Sequence, residues 1–161
     1  MKDSVLHTFG FNLGYARKLV ADIPKDKMCV QPAGIPNHAA WVLGHLAFSL
    51  QFGGSMLGLK LAMPDGWQQK FGNGSKPTSD AAVYPDKQAL LTALEQAHAR
   101  LADAVAKADA AVFRQPTPHE GFRKVFPTIG DALTFMTTAH EATHLGQLSA
   151  WRRAAGFPSA L

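Results

Sequence analysis

Residues 128–155, TIGDALTFMTTAHEATHLGQLSAWRRAA, form one helical pattern on which the interpretation of the whole chain depends. Thr128 can cap the first turn, and Asp131 three residues later completes a sequence close to a capping box. Gly156, followed by Phe157-Pro158, is typical of a helix end. The pattern therefore predicts one long helix over these residues.

This predicted helix carries two histidines four residues apart, His140 and His144. Residues at that spacing lie on the same face of a helix, with their Cβ atoms roughly 5–6 Å apart. Two neutral imidazoles placed in this way can bind one metal ion. A metal site that performs chemistry usually has three protein ligands and a fourth position open to water or substrate, so a third ligand has to be found.

The segment His140–His144 also matches H-E-x-x-H, the metallopeptidase motif in which the glutamate, here Glu141, is the general base. In those enzymes the third ligand normally follows the motif. Residues 145–161 contain no His, Asp, Glu or Cys, so a third ligand is expected upstream. A peptidase remains an alternative that this spacing disfavours.

Composition predicts one globular domain spanning residues 1–161. Apolar residues make up 47% of the chain and charged residues 17%, which is far from a disordered composition. The net charge is +4, but the 16 Lys and Arg residues are scattered and accompany no nucleic-acid-binding motif. We therefore expect no nucleic-acid partner.

Cysteine content and hydropathy favour a cytoplasmic protein. Cys29 is the only cysteine, so no intrachain disulfide can form. The first residues, 1–7, do not form a hydrophobic leader. The longest apolar stretch, residues 39–50, is too short to span a bilayer, and no membrane partner is expected.

Four helices and no strand are predicted, which indicates an all-α four-helix bundle. The helices cover residues 3–22, 38–60 after an N-cap at Asn37, 87–108 after an N-cap at Asp86, and 128–155. The connection Leu61–Pro85 between helices 2 and 3 is longer than an ordinary turn. It is expected to be a crossover or a lid, anchored to the bundle by Trp67 and Phe71.

His45 is the best candidate for the third ligand, since it lies in the middle of the apolar segment Trp41–Ala47. A lone histidine in such a helix is more often a core residue, but a second helix with a His pair favours a shared metal site, as in other bundles. The remaining histidines are weaker candidates for metal ligands. We expect His38 at the rim of the pocket, His98 exposed to solvent and His119 in a loop. His7 is a weak candidate for a fourth ligand.

Two segments carry a resemblance to a known family. Residues 37–47 have the form N-x-x-x-W-x-x-G-H-L-A, and residues 140–148 have the form H-E-x-x-H-x-G-Q-L. With these motifs near opposite ends of a four-helix chain, the sequence resembles the DinB-like family of metalloenzymes. The resemblance implies a bundle with up-down-down-up connectivity and metal binding by His45, His140 and His144.

The resemblance also implies a class of chemistry. Characterised relatives include bacillithiol- or mycothiol-dependent transferases and a mycothiol-dependent maleylpyruvate isomerase. A divalent metal ion, zinc or nickel, would activate a low-molecular-weight thiol or a water for transfer to, or hydrolysis of, a small substrate. The chain is thus expected to be a metal-dependent enzyme, leaning towards a thiol S-transferase, and a homodimer.

A non-catalytic alternative remains open: a dimeric bundle that binds a metal or a small molecule. It would have a closed metal site, with a fourth protein ligand in place of an exchangeable water.

Further residues are expected near the metal. Glu141 projects about 100° around the helix from His140, so it would orient a ligand histidine or accept a proton as a catalytic residue; a plain ion pair is the alternative. Gln147 and Thr137 are expected on the metal-facing side. Trp41, one turn before His45, is a candidate pocket wall.

Overall fold

The computed structural model describes residues 2–60 and 62–160, and these ranges contain helices and no strand. An isolated antiparallel bridge joins Pro116 to Thr128. The all-α prediction is confirmed. The helices are α1 (Lys2–Val20), α2 (Ala39–Ser55), α3 (Trp67–Phe71), α4 (Lys87–Lys107), α5 (Glu120–Arg123), α6 (Ile129–Phe135) and α7 (Glu141–Ala154).

Two predicted N-caps are present. The Asp86 carboxylate accepts a hydrogen bond from the backbone N–H of Ala89 at 2.8 Å. Thr128 and Asp131 form a reciprocal capping box at the start of α6. Each satisfies backbone donors that the first helical turn leaves without partners.

Both ends of α2 differ from the sequence prediction. The N-cap is His38 rather than Asn37, because the His38 ring accepts a hydrogen bond from the backbone N–H of Trp41. The helix ends at Ser55, five residues before the predicted end at residue 60. Gly58, at φ +79°, takes the left-handed conformation that turns the chain away from the helix.

The last predicted helix is interrupted by a widened turn. Met136–His140 form a π-helical segment between α6 and α7, so the chain runs through three helical segments from residue 129 to residue 154. We call residues 136–140 the π turn. A π turn inside an α-helix is rare and often lies at a functional site.

The long helices are arranged so that α1 and α2 each contact both α4 and α7. Lys2 at the start of α1 donates to the Ala106 carbonyl near the end of α4, and Asp22 after α1 pairs with Arg152 near the end of α7. These contacts make α1 antiparallel to α4 and parallel to α7. The finer prediction, a DinB-like four-helix bundle with a long crossover between α2 and α4, is consistent with these contacts.

The connection between α2 and α4 is partly ordered into helix. It contains α3 and a 3-10 turn at Ala81–Val83, and it is the connection that the sequence predicted to be a crossover or a lid. The first residue of that prediction, Leu61, lies outside the described residues. Trp67 and Phe71 are buried in the core, as predicted for anchors. No described helix is both long and apolar enough to cross a membrane.

Candidate metal centre

Three histidines, one each from α2, the π turn and α7, meet on one side of the bundle. One ring nitrogen of each of His45, His140 and His144 lies within 4.8 Å of those of the other two. The Nε2 atoms of His45 and His140 are 3.3 Å apart. The structure therefore brings together the three residues that the sequence and the family resemblance indicated as metal ligands.

His45 is held by the connection that follows α2. Its Nδ1–H donates to the carbonyl oxygen of Phe71 at 2.7 Å, which leaves the Nε2 lone pair facing the other histidines. The Phe71 ring lies directly over Gly44, where a Cβ atom would be only 2.2 Å from Phe71 Cε1. The glycine before His45 thus makes room for the residue that orients it.

Residues 71–80 run along α2 and are bound to it by three side chains; we call them the strap. His45 donates to Phe71, the indole N–H of Trp41 donates to the Ser75 hydroxyl at 2.9 Å, and the Nε2–H of His38 donates to the Thr78 carbonyl at 2.9 Å. The predicted role of His38 at a pocket rim is therefore wrong: it is fully buried and fastens the strap to the start of α2.

His144 is oriented by Gln147. The Nδ1–H of His144 donates to the Gln147 side-chain oxygen at 3.1 Å, and the Asn37 amide donates to the same oxygen at 3.1 Å. Such contacts to the outer nitrogen of a ligand histidine fix its tautomer and direction. The predicted proximity of Gln147 to the site is observed.

The walls around the three rings are aromatic. Trp41 stacks on His45 with ring centroids 4.6 Å apart, and Phe135 lies 5.7 Å from the His140 ring. The Nδ1 atom of His140 is buried and has no hydrogen-bond partner in the described structure. The Thr137 hydroxyl, expected on the metal-facing side, donates instead to the Leu133 carbonyl.

All three imidazoles favour the neutral form. Burial lowers the pKa of His45. Burial and the neighbouring His144 and His45 lower the pKa of His140 to about 3, and burial together with His45 lowers the pKa of His144 to about 4. Near pH 7 the rings therefore keep the unprotonated nitrogens that a metal ion requires.

This donor set fits a divalent metal ion. Two nitrogens bound to a tetrahedral zinc at roughly 2.0–2.1 Å are about 3.3–3.4 Å apart, which matches the 3.3 Å between the Nε2 atoms of His45 and His140. Imidazole ligands suit zinc and nickel alike. Two of the three rings also have the acceptor at Nδ1 that ligand histidines usually have.

Glu141 points away from the three histidines. It is buried, and its Oε1 lies 2.7 Å from the Nε2 of His98 on α4. Burial raises the pKa of Glu141, and the contact with His98 opposes that shift in part. The sequence allows three roles for Glu141: orienting a ligand histidine, accepting a proton, or an ion pair. Its observed contact with His98 on another helix corresponds to the third.

His98 is the residue whose place the sequence did not reveal. It was predicted to be solvated, because its neighbours in sequence are Glu95, Gln96 and Arg100, but it is 4% exposed and stacks on Phe9 with ring centroids 3.8 Å apart. A signal was present in the sequence, since His98 falls on the same α4 stripe as Leu94 and Leu101.

The other candidates lie outside the cluster. His7 and His119 are exposed and do not belong to the metal-compatible group. Cys29 is buried, and burial raises the pKa of its thiol, which disfavours a nucleophilic role. A wide apolar groove of about 1160 Å³ between α1, α6 and residues 110–128 is lined by none of the three histidines.

Comparison with known proteins identifies the family. The profile described as the DinB superfamily matches residues 9–148, which is most of the chain and includes all three clustered histidines. Searches of curated proteins and of solved structures gave no significant match. The helical fold, the histidine cluster and the extent of the match together show that this chain belongs to the DinB superfamily.

Proposed function

We propose that this protein is a metal-dependent enzyme in which His45, His140 and His144 bind one divalent ion, zinc or nickel. The observation that supports this most strongly is the convergence of three imidazoles with depressed pKa values, two of them fixed through Nδ1 by Phe71 and Gln147. Bound there, the ion would lower the pKa of a thiol or water and make it a nucleophile near neutral pH.

The ligand count favours a catalytic site over a structural one. Among the described residues, the group that can hold an ion contains three members and no fourth His, Cys, Asp or Glu. Structural zinc sites usually have four protein ligands, whereas catalytic sites have three and an open position. The non-catalytic bundle therefore remains the second candidate.

The surrounding residues have separate roles in this proposal. Trp41 and Phe135 provide apolar walls that exclude water beside the histidines. Gln147 and the Phe71 carbonyl hold the ligand rings. The proposed partners are a small electrophilic substrate, a low-molecular-weight thiol as the attacking group, and a second copy of the chain; the proposed location is the cytoplasm.

A cobalt-substituted protein can test whether the metal position is open. We would load the apo-protein with Co²⁺ and add 2-mercaptoethanol, with ethanol as the matched control lacking the thiol. Thiolate binding to the ion is expected to produce a saturable near-ultraviolet charge-transfer band that ethanol does not produce and that His45→Ala abolishes.

Each outcome selects one of the proposed functions. A thiol-dependent band supports thiol activation. A visible cobalt spectrum that does not change when thiol is added, but changes with pH around pH 7, supports an activated water. A tetrahedral spectrum that responds to neither thiol nor pH would contradict the proposed enzyme and favour a closed structural site.

A further inference from the structure

Threonine hydroxyls within and beside the π turn donate to backbone carbonyl groups of the turn and of α6 just before it. The hydroxyls of Thr137, Thr138 and Thr143 donate to the carbonyls four residues earlier in the chain, those of Leu133, Thr134 and Ala139. Threonines that bind the backbone in this way weaken regular helix and often bend it. The sequence TTAHEAT at residues 137–143 thus favours a distorted turn that includes His140, the first residue of the histidine pair.

Asn12 supplies the corresponding contact from another helix. It lies on α1, is 5% exposed, and its amide donates to the Thr137 carbonyl at 3.3 Å and more weakly to the Thr138 carbonyl at 3.5 Å. A π turn disturbs the regular pairing of helix carbonyls, and a buried carbonyl without a donor is destabilising. Asn12 therefore stabilises the widened turn in particular.

The spacing of buried residues explains why the turn has to be wide. Leu133, Thr137, Glu141 and Leu145 are all buried and follow one another at four-residue steps. A regular helix has about 3.6 residues per turn, so three such steps would rotate the last residue by roughly 120° from the first. The additional residue of the π turn keeps both α6 and α7 facing the core, and it sets the direction in which His140 projects.

We infer that Asn12 is a positioning residue for the metal site: its amide holds the π turn in the one arrangement that directs His140 towards His45 and His144. This inference rests on the proposed metal site. Asn12 contacts none of the clustered histidines in the described hydrogen bonds, so it acts through the backbone carbonyls of residues 137–138 and through the neighbouring Glu141 carboxyl, whose pKa it helps to lower.

The test compares Asn12→Leu, which has a similar shape but no donor, with wild type. We expect zinc affinity to fall about 10–100-fold, the range typical for loss of an outer contact to a metal ligand. We also expect a changed visible spectrum of the Co²⁺ form, because the direction of one ligand ring is altered. Both are measured on protein shown to be folded by circular dichroism.

Asp22→Asn is the matched control. It weakens a different polar contact between the end of α1 and α7, the pair of Asp22 with Arg152, and should leave zinc affinity and the cobalt spectrum unchanged. If Asn12→Leu does not fold, Asn12→Asp is the second variant, since it keeps the volume and replaces the donor by an acceptor.

The outcomes separate this inference from the proposed function. The inference is overturned if a folded Asn12 variant binds zinc as tightly as wild type and has an unchanged cobalt spectrum. The proposed metal site would still stand in that case, provided that His45→Ala loses the metal. If His45→Ala also binds zinc as wild type does, the metal site itself is wrong. If Asp22→Asn weakens zinc binding as much as Asn12→Leu, the role of Asn12 is general stability and the inference fails.

Discussion

The orientation of His45 depends on the absence of a side chain at the residue before it. Gly44 lies under the Phe71 ring, and a Cβ atom there would be 2.2 Å from Phe71 Cε1. The Phe71 carbonyl in turn accepts the hydrogen bond from His45 Nδ1. The packing of Phe71 against Gly44 therefore helps to set the direction in which His45, a proposed metal ligand, projects.

We expect Gly44→Ala to lower the free energy of unfolding by about 1–3 kcal/mol, as overpacking of a dense core does, and to weaken zinc binding because Phe71 must shift. Urea denaturation and zinc titration measure the two effects. Gly14→Ala is the control: a Cβ there meets no atom within 4 Å, and the change should be neutral or stabilising by up to about 1 kcal/mol. Normal stability and zinc affinity in Gly44→Ala would contradict this connection.

Glu141 is expected to act through His98 rather than on a substrate. Glu141→Ala leaves the buried His98 ring without its partner and should cost about 1–3 kcal/mol of unfolding free energy. Glu141→Gln keeps an oxygen acceptor, so it should retain the bound metal and most of the stability. A Glu141→Gln protein with wild-type stability and metal content but no turnover would instead assign Glu141 a proton-transfer role.

At the scale of elements, the strap is the part of the connection that the site depends on. It is fastened to α2 by His38, Trp41 and His45, which lie along one face of that helix. His38 both caps α2 and donates to Thr78. The start of α2 and the strap are therefore stabilised by the same ring.

Replacement of His38 by alanine should loosen both elements. We expect amide hydrogen exchange in residues 72–80 to become faster and the unfolding free energy to fall by about 0.5–2 kcal/mol or more, since loss of an N-cap alone costs that much. Lys76→Ala, an exposed change within the strap, should do neither. Unchanged exchange in His38→Ala would show that the strap is held by other contacts.

The sequence predicted the elements whose determinants are local. The Thr128 and Asp131 capping box, the Asp86 cap and the apolar period of α4 are all readable from neighbouring residues, and each is observed. The motif-based assignment of His45, His140 and His144 to one cluster agrees with the structure. The two motifs were informative because His45 and His144 lie on the regular helices α2 and α7, and His140 lies in the π turn directly before α7.

The features that sequence reasoning missed depend on distant contacts. The π turn needs Asn12 of α1, and the buried position of His98 needs Glu141 of α7. His38 looked like a rim residue because the strap that covers it is 40 residues later in the chain. None of these partners is a sequence neighbour, so a periodicity argument could not include them.

At the scale of the whole molecule, the buried histidines make stability depend on pH. Unfolded histidine has a pKa of about 6.5, whereas that of folded His140 is about 3 and that of folded His144 about 4. Between these values the unfolded chain binds more protons than the folded one, so stability rises with pH in that window. The metal-free protein should therefore lose stability as pH falls from about 6.5.

Urea midpoints measured in the presence of a chelator at pH 7.5, 6.0 and 5.0 can check this. We expect wild type to lose stability across that series more steeply than a double variant, His140→Ala with His144→Ala, which lacks both groups. Burial raises the pKa of Glu141, an effect of opposite sign that is common to both proteins. The same pH dependence in the two proteins would contradict the proposed protonation states.

Metal content measured by inductively coupled plasma mass spectrometry on untagged protein tests the central claim most directly. Wild type, His45→Ala and His144→Ala are compared after supply of zinc and nickel, with helical content checked by circular dichroism. We expect close to one divalent ion per wild-type chain and loss of that ion in both variants while they remain helical. A wild type that binds no ion, or a His45→Ala variant that keeps it, would contradict the three-histidine site.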